Sequence, residues 1–446
     1  MNADKTKIIW TVGAVLVIAG IIAWFAGDGL AAYFIQDDMM NLYEAWFRPL
    51  DSQRPMTVVF YDAIFAWAGL NPLPYHVALY AVLVANLVLL YCFCVRLSGS
   101  RAVGALACLL GAYHAHLADV YYSADTAGDL LCALFYFGAF VYYARIREGG
   151  EPRLWQLVAV LLLYVCALNA KEMAVSLPVL ILVYEYVFHK PGGRSFRAFG
   201  MLALATLVDV LHLFFGVGRK VQVEAYNPHP SWAKLMESWA HYLFDLFYGA
   251  VKWTPWKVIA LWIVLAAAAW LMKRRELWIA LALIFAGILP IAFIAERGFY
   301  AYYMVVPGWC LFLAVLLAAI PVRPALTFAI VAALLIPLHR REKPKGMAWV
   351  AAESSRVRTV VAHLDDVPGP LPRGARVLFL SDPFEKDDWI LTFMFRLHYR
   401  DDDIRVDRAQ WMKTPPVWSD YDRVLRVDGT ALTIAASNAS SAPAKK

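Results

Sequence analysis

Eleven stretches of this chain are each apolar over a length that crosses a lipid bilayer, and no other feature restricts its fold as strongly. A span needs about 20 apolar residues, and about 17 suffice. The runs cover 8–26, 76–97, 102–118, 126–144, 154–170, 172–189, 198–217, 256–272, 277–295, 299–320 and 322–338. The first reads as a retained span rather than a cleaved leader, because the run is long and no small-residue cleavage site follows. Of the 446 residues, 61% are hydrophobic and 17% charged, against about 45–50% and about 25% in a soluble domain. That excludes an ordinary cytosolic enzyme, a disordered chain and a secreted disulfide scaffold. The six cysteines all lie inside apolar runs, without the spacing of a zinc site.

Charge divides the chain. Residues 346–446 hold 14 basic and 14 acidic residues, so the whole formal charge of +6 falls on the first 345. Lys5/Lys7, Arg96/Arg101, Arg145/Arg147/Arg153, Lys190/Arg194/Arg197, Lys273–Arg275 and Arg323 share one side if the N-terminus is cytoplasmic. The cluster from His339 to Lys345 is the exception. No basic face suggests nucleic acid. The expected fold is an all-α polytopic membrane bundle of about 11 transmembrane helices over residues 1–345, with a first outer loop at 27–75. A small C-terminal α/β domain over 346–430 follows on the outer side, with strands at 377–380 and 423–427 and a helix at 389–399. Residues 431–446 read as a disordered tail. The stretch 235–251 is amphipathic and is placed in the interface or as a re-entrant segment.

Ionisable residues at membrane depth mark sites or pathways, and here they gather at the outer ends of the spans. Asp37-Asp38 in the first loop suits a general base, a divalent-cation ligand, or a helix N-cap before Met39–Trp46. Arg54 is a phosphate clamp or a headgroup-facing arginine. His114, His116 and Asp119 form a loose set that matches no specific metal site. Asp129 opens a span, as a site acid or as a charge favoured by the helix dipole. Lys171-Glu172 is either an ion pair closing a helical hairpin or a phosphate-binding lysine with its holder. Glu296-Arg297, followed by Tyr300, repeats that arrangement, and Arg219 sits at the outer end of the seventh span.

In order along the chain these pieces resemble the C-type glycosyltransferases (GT-C), multi-spanning enzymes that use polyprenyl-phosphate sugars. The likeness is greatest to the protein O-mannosyltransferase group, especially the branch that usually ends in tetratricopeptide repeats. It rests on Asp37-Asp38, Gln53-Arg54-Pro55, Gly69-Leu-Asn-Pro72 with His76, His114 with Asp119, Gly128-Asp129-Leu-Leu, Ala170-Lys171-Glu172 and Ala295-Glu296-Arg297-Gly-Phe-Tyr300. It covers about residues 30–310. The chain departs from the family at Leu79 (Asn there), Asp119 (Glu), Ala127 (Arg) and Tyr302-Tyr303-Met (Leu-Pro-Ser), and no repeats follow.

The resemblance implies a hexosyltransferase that inverts the anomeric centre. It moves a sugar, mannose among the candidates, from a polyprenyl phosphate to an acceptor hydroxyl on a protein, glycolipid or polysaccharide. Asp37 is the expected base and Asp38 the second choice. Arg54, Lys171 and Arg297 are expected on the lipid phosphate, with Arg219 in reserve. His114, Asp119, Asp129, Glu172, Glu296 and Tyr300 complete the substrate-binding set. Neither a cofactor nor a metal is required. The implied setting is a bacterial inner membrane with the C-terminal domain in the periplasm and a role in protein glycosylation of the cell envelope. The alternatives are a flippase or transporter of lipid-linked glycans and a non-catalytic relative.

Overall fold

Backbone N–H and C=O groups find no partner in hydrocarbon, so a chain this apolar must close its hydrogen bonds within helices. The computed structural model does so over most of its length. It describes residues 3–189, 193–215, 226–365, 367, 370–386, 388–428 and 431–437. The helices are α1 (Ala3–Ala26), α2 (Gln36–Phe47), α3 (Pro55–Ala68), α4 (Leu73–Ser98), α5 (Arg101–Gly111), α6 (Ala118–Tyr122), α7 (Ala127–Glu148) and α8 (Leu154–Ala170). They continue with α9 (Leu177–Phe188), α10 (Gly193–Phe215), α11 (Trp232–Leu246), α12 (Pro255–Met272), α13 (Arg275–Ile288), α14 (Val306–Ala318), α15 (Pro324–Val361) and α16 (Ile390–Tyr399). Proline stands in the first turn of α3, α4, α9, α12, α14 and α15, where its missing N–H costs nothing.

Each expected span contains helix, but five helices among the described residues are by themselves long and apolar enough to cross a membrane. Arg101–Gly111 and Ala115–Tyr122 make a sixth if the pair, bent by 64°, is one span. Of the others, α8 fills its expected run and α10 begins before its own, but α9, α13 and α14 are shorter than expected. The run 277–295 is helical only to Ile288, and 299–320 resumes as α14 only at Val306 after a 3-10 turn. Breaks of this kind fall in apolar sequence and leave no trace in hydropathy. The amphipathic stretch forms α11, which buries Met236, Trp239, Tyr242 and Leu243. Near the far end of α7, Glu185 accepts from Arg147 Nε and Nη2 at 2.7 and 2.9 Å and from the Tyr143 hydroxyl, a buried structural pair.

The C-terminal unit is a four-stranded sheet in the order β2-β1-β3-β4, with β1 (Arg376–Phe379), β2 (Arg405–Arg408), β3 (Arg423–Asp428) and β4 (Ala431–Ser437). β1 runs parallel to β2 and β3, and β4 antiparallel to β3. This corrects the expected tail: residues 431–437 are a strand, held by the ladder to β3. The expected boundary at 345/346 falls inside α15, which runs unbroken into the second unit. Two carboxylates partly neutralise the exceptional basic cluster where it stands. Arg341 and Lys345 pair with Glu342 at 2.6 and 2.7 Å, and Lys343 with Asp28 at 2.9 Å.

Candidate functional site

Helix geometry separates the two adjacent carboxylates of the first loop. Successive positions on a helix point about 100° apart, so Asp37 and Asp38 cannot share a direction. Asp38 turns inward and is fully buried. Its Oδ2 accepts the N–H of Ile35 at 2.7 Å, capping α2, and its Oδ1 lies 2.9 Å from Ser123 Oγ. Asp37 is open to solvent, yet protein surrounds it on several sides. That burial pushes its carboxyl above the usual range, and the Arg297 guanidinium opposes the shift. The cap role therefore belongs to Asp38, and Asp37 keeps a free face.

A second wall comes from the starts and ends of α7, α8 and the turn after α13. Gly128 brings the start of α7 against the end of α8; a Cβ there would stand 3.0 Å from the Ala170 carbonyl. This close approach puts Asp129 against Lys171, whose Nζ donates to Asp129 Oδ2 in a buried ion pair. The same ammonium lies 5.3 Å from the centre of the Tyr300 ring. Beside it, Arg54 grips Glu172 with two nitrogens, Nε at 3.1 Å and Nη2 at 2.7 Å. Arg297 stacks 4.1 Å over the ring of Tyr226. Asp119 reaches the turn that carries Arg297, since a Cβ on Gly298 would lie 3.8 Å from Asp119 Oδ2.

The electrostatics join the two walls. The Tyr300 hydroxyl is pushed up by burial first and then by Asp125, Asp129, Asp37 and Asp119. Three buried polar groups here have no hydrogen-bond partner among the described residues: Asp129 Oδ1, Arg297 Nη2 and both side-chain amide atoms of Gln53, next to Arg54. Buried polar groups are nearly always satisfied, and an unmade bond of this kind costs about 1–3 kcal/mol. The unmet atoms include two donors, Arg297 Nη2 and Gln53 Nε2, and two acceptors, Asp129 Oδ1 and Gln53 Oε1, which suits a polar ligand with oxygens and hydroxyls. Among the described residues, no three His, Cys, Asp or Glu side chains are grouped to hold a metal ion.

Some expected residues face elsewhere. His114 stacks on Tyr248, with centroids 4.3 Å apart, and its Nε2 meets the Leu246 carbonyl at 3.1 Å. Packing thus occupies its ring. Glu296 lies 3.9 Å from His241. Glu172 is bound to Arg54. Arg219 lies outside the described residues. Three participants were not singled out from sequence: Ser123, Asp125 and Tyr226. Asp125 is visible as an acid before a span, but its partner Asp38 is reached only through the fold.

No protein-family model matches the chain, and no curated protein matches it. Among solved structures, it is similar to the crystal structure of ArnT from Cupriavidus metallidurans bound to undecaprenyl phosphate. The TM-score is 0.44 and the identity 13%, over 91% of this chain and 86% of that one.

Proposed function

We propose that this chain is a membrane glycosyltransferase of GT-C type. It would move a sugar, mannose among the candidates, from a polyprenyl phosphate to an acceptor hydroxyl. The observation that carries the reading is one open carboxylate, Asp37, within the electrostatic reach of the Arg297 guanidinium, while Lys171 and Tyr300 line the adjoining wall. The order of motifs along the sequence supports it independently.

In this reaction Asp37 takes the proton of the acceptor hydroxyl as its oxygen bonds to the anomeric carbon. The bond from that carbon to the phosphate oxygen breaks on the opposite face, and its electron pair leaves with the lipid phosphate. The configuration inverts. Charge grows on the phosphate in the transition state, so cations aimed there lower the barrier. Arg297 is the proposed cation for that work, and Lys171, paired with Asp129, adds its donors to the adjoining wall. Arg54, already bound to Glu172, supports the wall. The site is read as extracytoplasmic and the N-terminus as cytoplasmic, in a bacterial inner membrane.

The test is transfer by purified protein in lipid, supplied with a panel of polyprenyl-phosphate sugars and hydroxyl acceptors. Turnover, or donor hydrolysis, should appear with one donor and fall about 10²–10⁴-fold in Asp37→Asn, the usual worth of a general base. Asp37→Asn retaining full activity overturns the assignment of the base. A silent panel with lipid still bound overturns the transferase reading in favour of a flippase.

A further inference from the structure

Ser123 has one hydroxyl hydrogen, yet two carboxylate oxygens touch its Oγ. Asp125 Oδ1 lies at 2.5 Å and Asp38 Oδ1 at 2.9 Å. The N–H of Asp125 also donates to this Oγ, at 3.2 Å. One hydrogen cannot fill two oxygen–oxygen contacts. With both carboxylates ionised, one contact would set a lone pair of Ser123 against a charged oxygen, beside a fully buried Asp38. A second proton completes the count.

Its location follows from the donors each acid already has. Burial pushes the Asp38 carboxyl up, to about 7, but it receives the backbone N–H of Ile35, and donors of that kind favour the ionised form. No backbone donor reaches the Asp125 carboxyl among the described residues. The charged groups acting most strongly on Asp125 are acids: Asp38 and Asp37 from α2, and Asp119 from α6. The nearby rings are Tyr61 of α3, whose hydroxyl donates to the Ala124 carbonyl, and Tyr300. A hydroxyl oxygen can accept twice and donate once. Ser123 then accepts from the Asp125 acid and the Asp125 N–H, and donates to Asp38.

We propose that Asp125 is a neutral carboxylic acid at neutral pH, donating to Ser123, which donates to an ionised Asp38. Beyond the hydroxyl hydrogen of Ser123, the two carboxyls hold one proton and one negative charge between them. They pin the first turn of α2 to the segment that leads into α7. Burial, which pushes the Asp125 carboxyl well above the usual carboxylate range, acts in the same direction. The proton assignment is independent of the transfer reaction. Its consequence rests on that reading: Asp38 is a positioning residue, and Asp37 is the carboxylate left open to solvent.

The test needs no donor or acceptor, so it stands or falls apart from transferase activity. Infrared spectra of the full chain in lipid, with and without carbon-13 in the aspartate carboxyls, identify any protonated aspartic acid. At neutral pH the band should be present, lost in Asp125→Asn and shifted in frequency in Ser123→Ala. A second measurement follows thermal stability against pH. The acid is favoured in the folded state, so its stabilisation is full below the unfolded-state value and is lost as pH rises through the folded-state value. An asparagine amide donates to Ser123 at every pH, so Asp125→Asn should show a smaller alkaline loss of stability than wild type. A neutral-pH spectrum without a band sensitive to either substitution overturns the proposal, as does an alkaline loss unchanged in Asp125→Asn.

Discussion

Asp37 sits under two opposing influences, and the balance between them sets the pH at which it can accept a proton. Removal from water favours its neutral form, and the positive charge of Arg297 favours the anion. Burial is the larger influence, so Asp37 should gain its proton at a pH above the ordinary carboxylate range. Transfer should therefore decline on the acid side at a higher pH than a free aspartate would give. Arg297→Gln removes the opposing charge and leaves the burial. The acid limb of kcat/KM should move further toward neutral pH, and the plateau should drop because the phosphate loses a cation. A profile whose acid limb stays in place would separate Arg297 from Asp37. At this scale the sequence shows which residue types are present and how they are ordered. It does not show that helix phase divides an adjacent pair into one buried cap and one open acid. Nor does it show that His114 is enclosed by Tyr248 and Phe299.

The element that matters most to the site is α2, because it is short and carries both acids in its first turn. A 12-residue helix is marginal alone, so its position depends on what holds it. One end is pinned through Asp38 to Ser123. The other end docks on α16, where Arg396 Nη1 donates to the Tyr43 hydroxyl at 3.0 Å and to Asp402 at 2.9 Å. Tyr43 in turn donates to Asp402 at 2.7 Å, and the Phe393 ring packs 4.9 Å from the Tyr43 ring. Arg400 lies 5.1 Å over Trp46. Arg396→Met keeps the apolar stem and removes the charged donor. It should cost about 1–2 kcal/mol, the scale of charged hydrogen bonds in a half-exposed setting. Backbone amides of α2 should then exchange faster by hydrogen exchange while those of α7 stay protected. Equal protection of α2 in both proteins would show that the bundle alone positions it. Sequence hydropathy finds the long helices, such as α4, within a few residues. It misses α2 and α3 inside the first loop because neither is long enough to register as a span.

Taken whole, the protein does not divide where its composition does. The charge balance changes near residue 346, but α15 passes through that point without a break. Its close packing depends on Gly346, where a Cβ would overlap the Ala115 carbonyl. The buried core is likewise continuous: Val377, Phe379, Ile390, Met394, Phe395 and Leu425 belong to the same apolar cluster as the bundle residues Phe34, Met39 and Tyr61. Composition reports which solvent each stretch meets, whereas cooperativity follows from which side chains share a core, and only the fold reveals that. A sheet of four short strands has little apolar surface of its own, and β4 was unreadable because Ala431–Ser437 gains its stability from β3 rather than from its own sequence. A unit built this way should not melt alone. Protection from hydrogen exchange in β1 and β3, and in α2 and α16, should be lost over one temperature range in lipid. Arg396→Met, which weakens the junction, should begin to split that range, with the sheet opening first. Separate transitions already present in wild type would show that the C-terminal unit is an independent domain and that α2 is held from the bundle side.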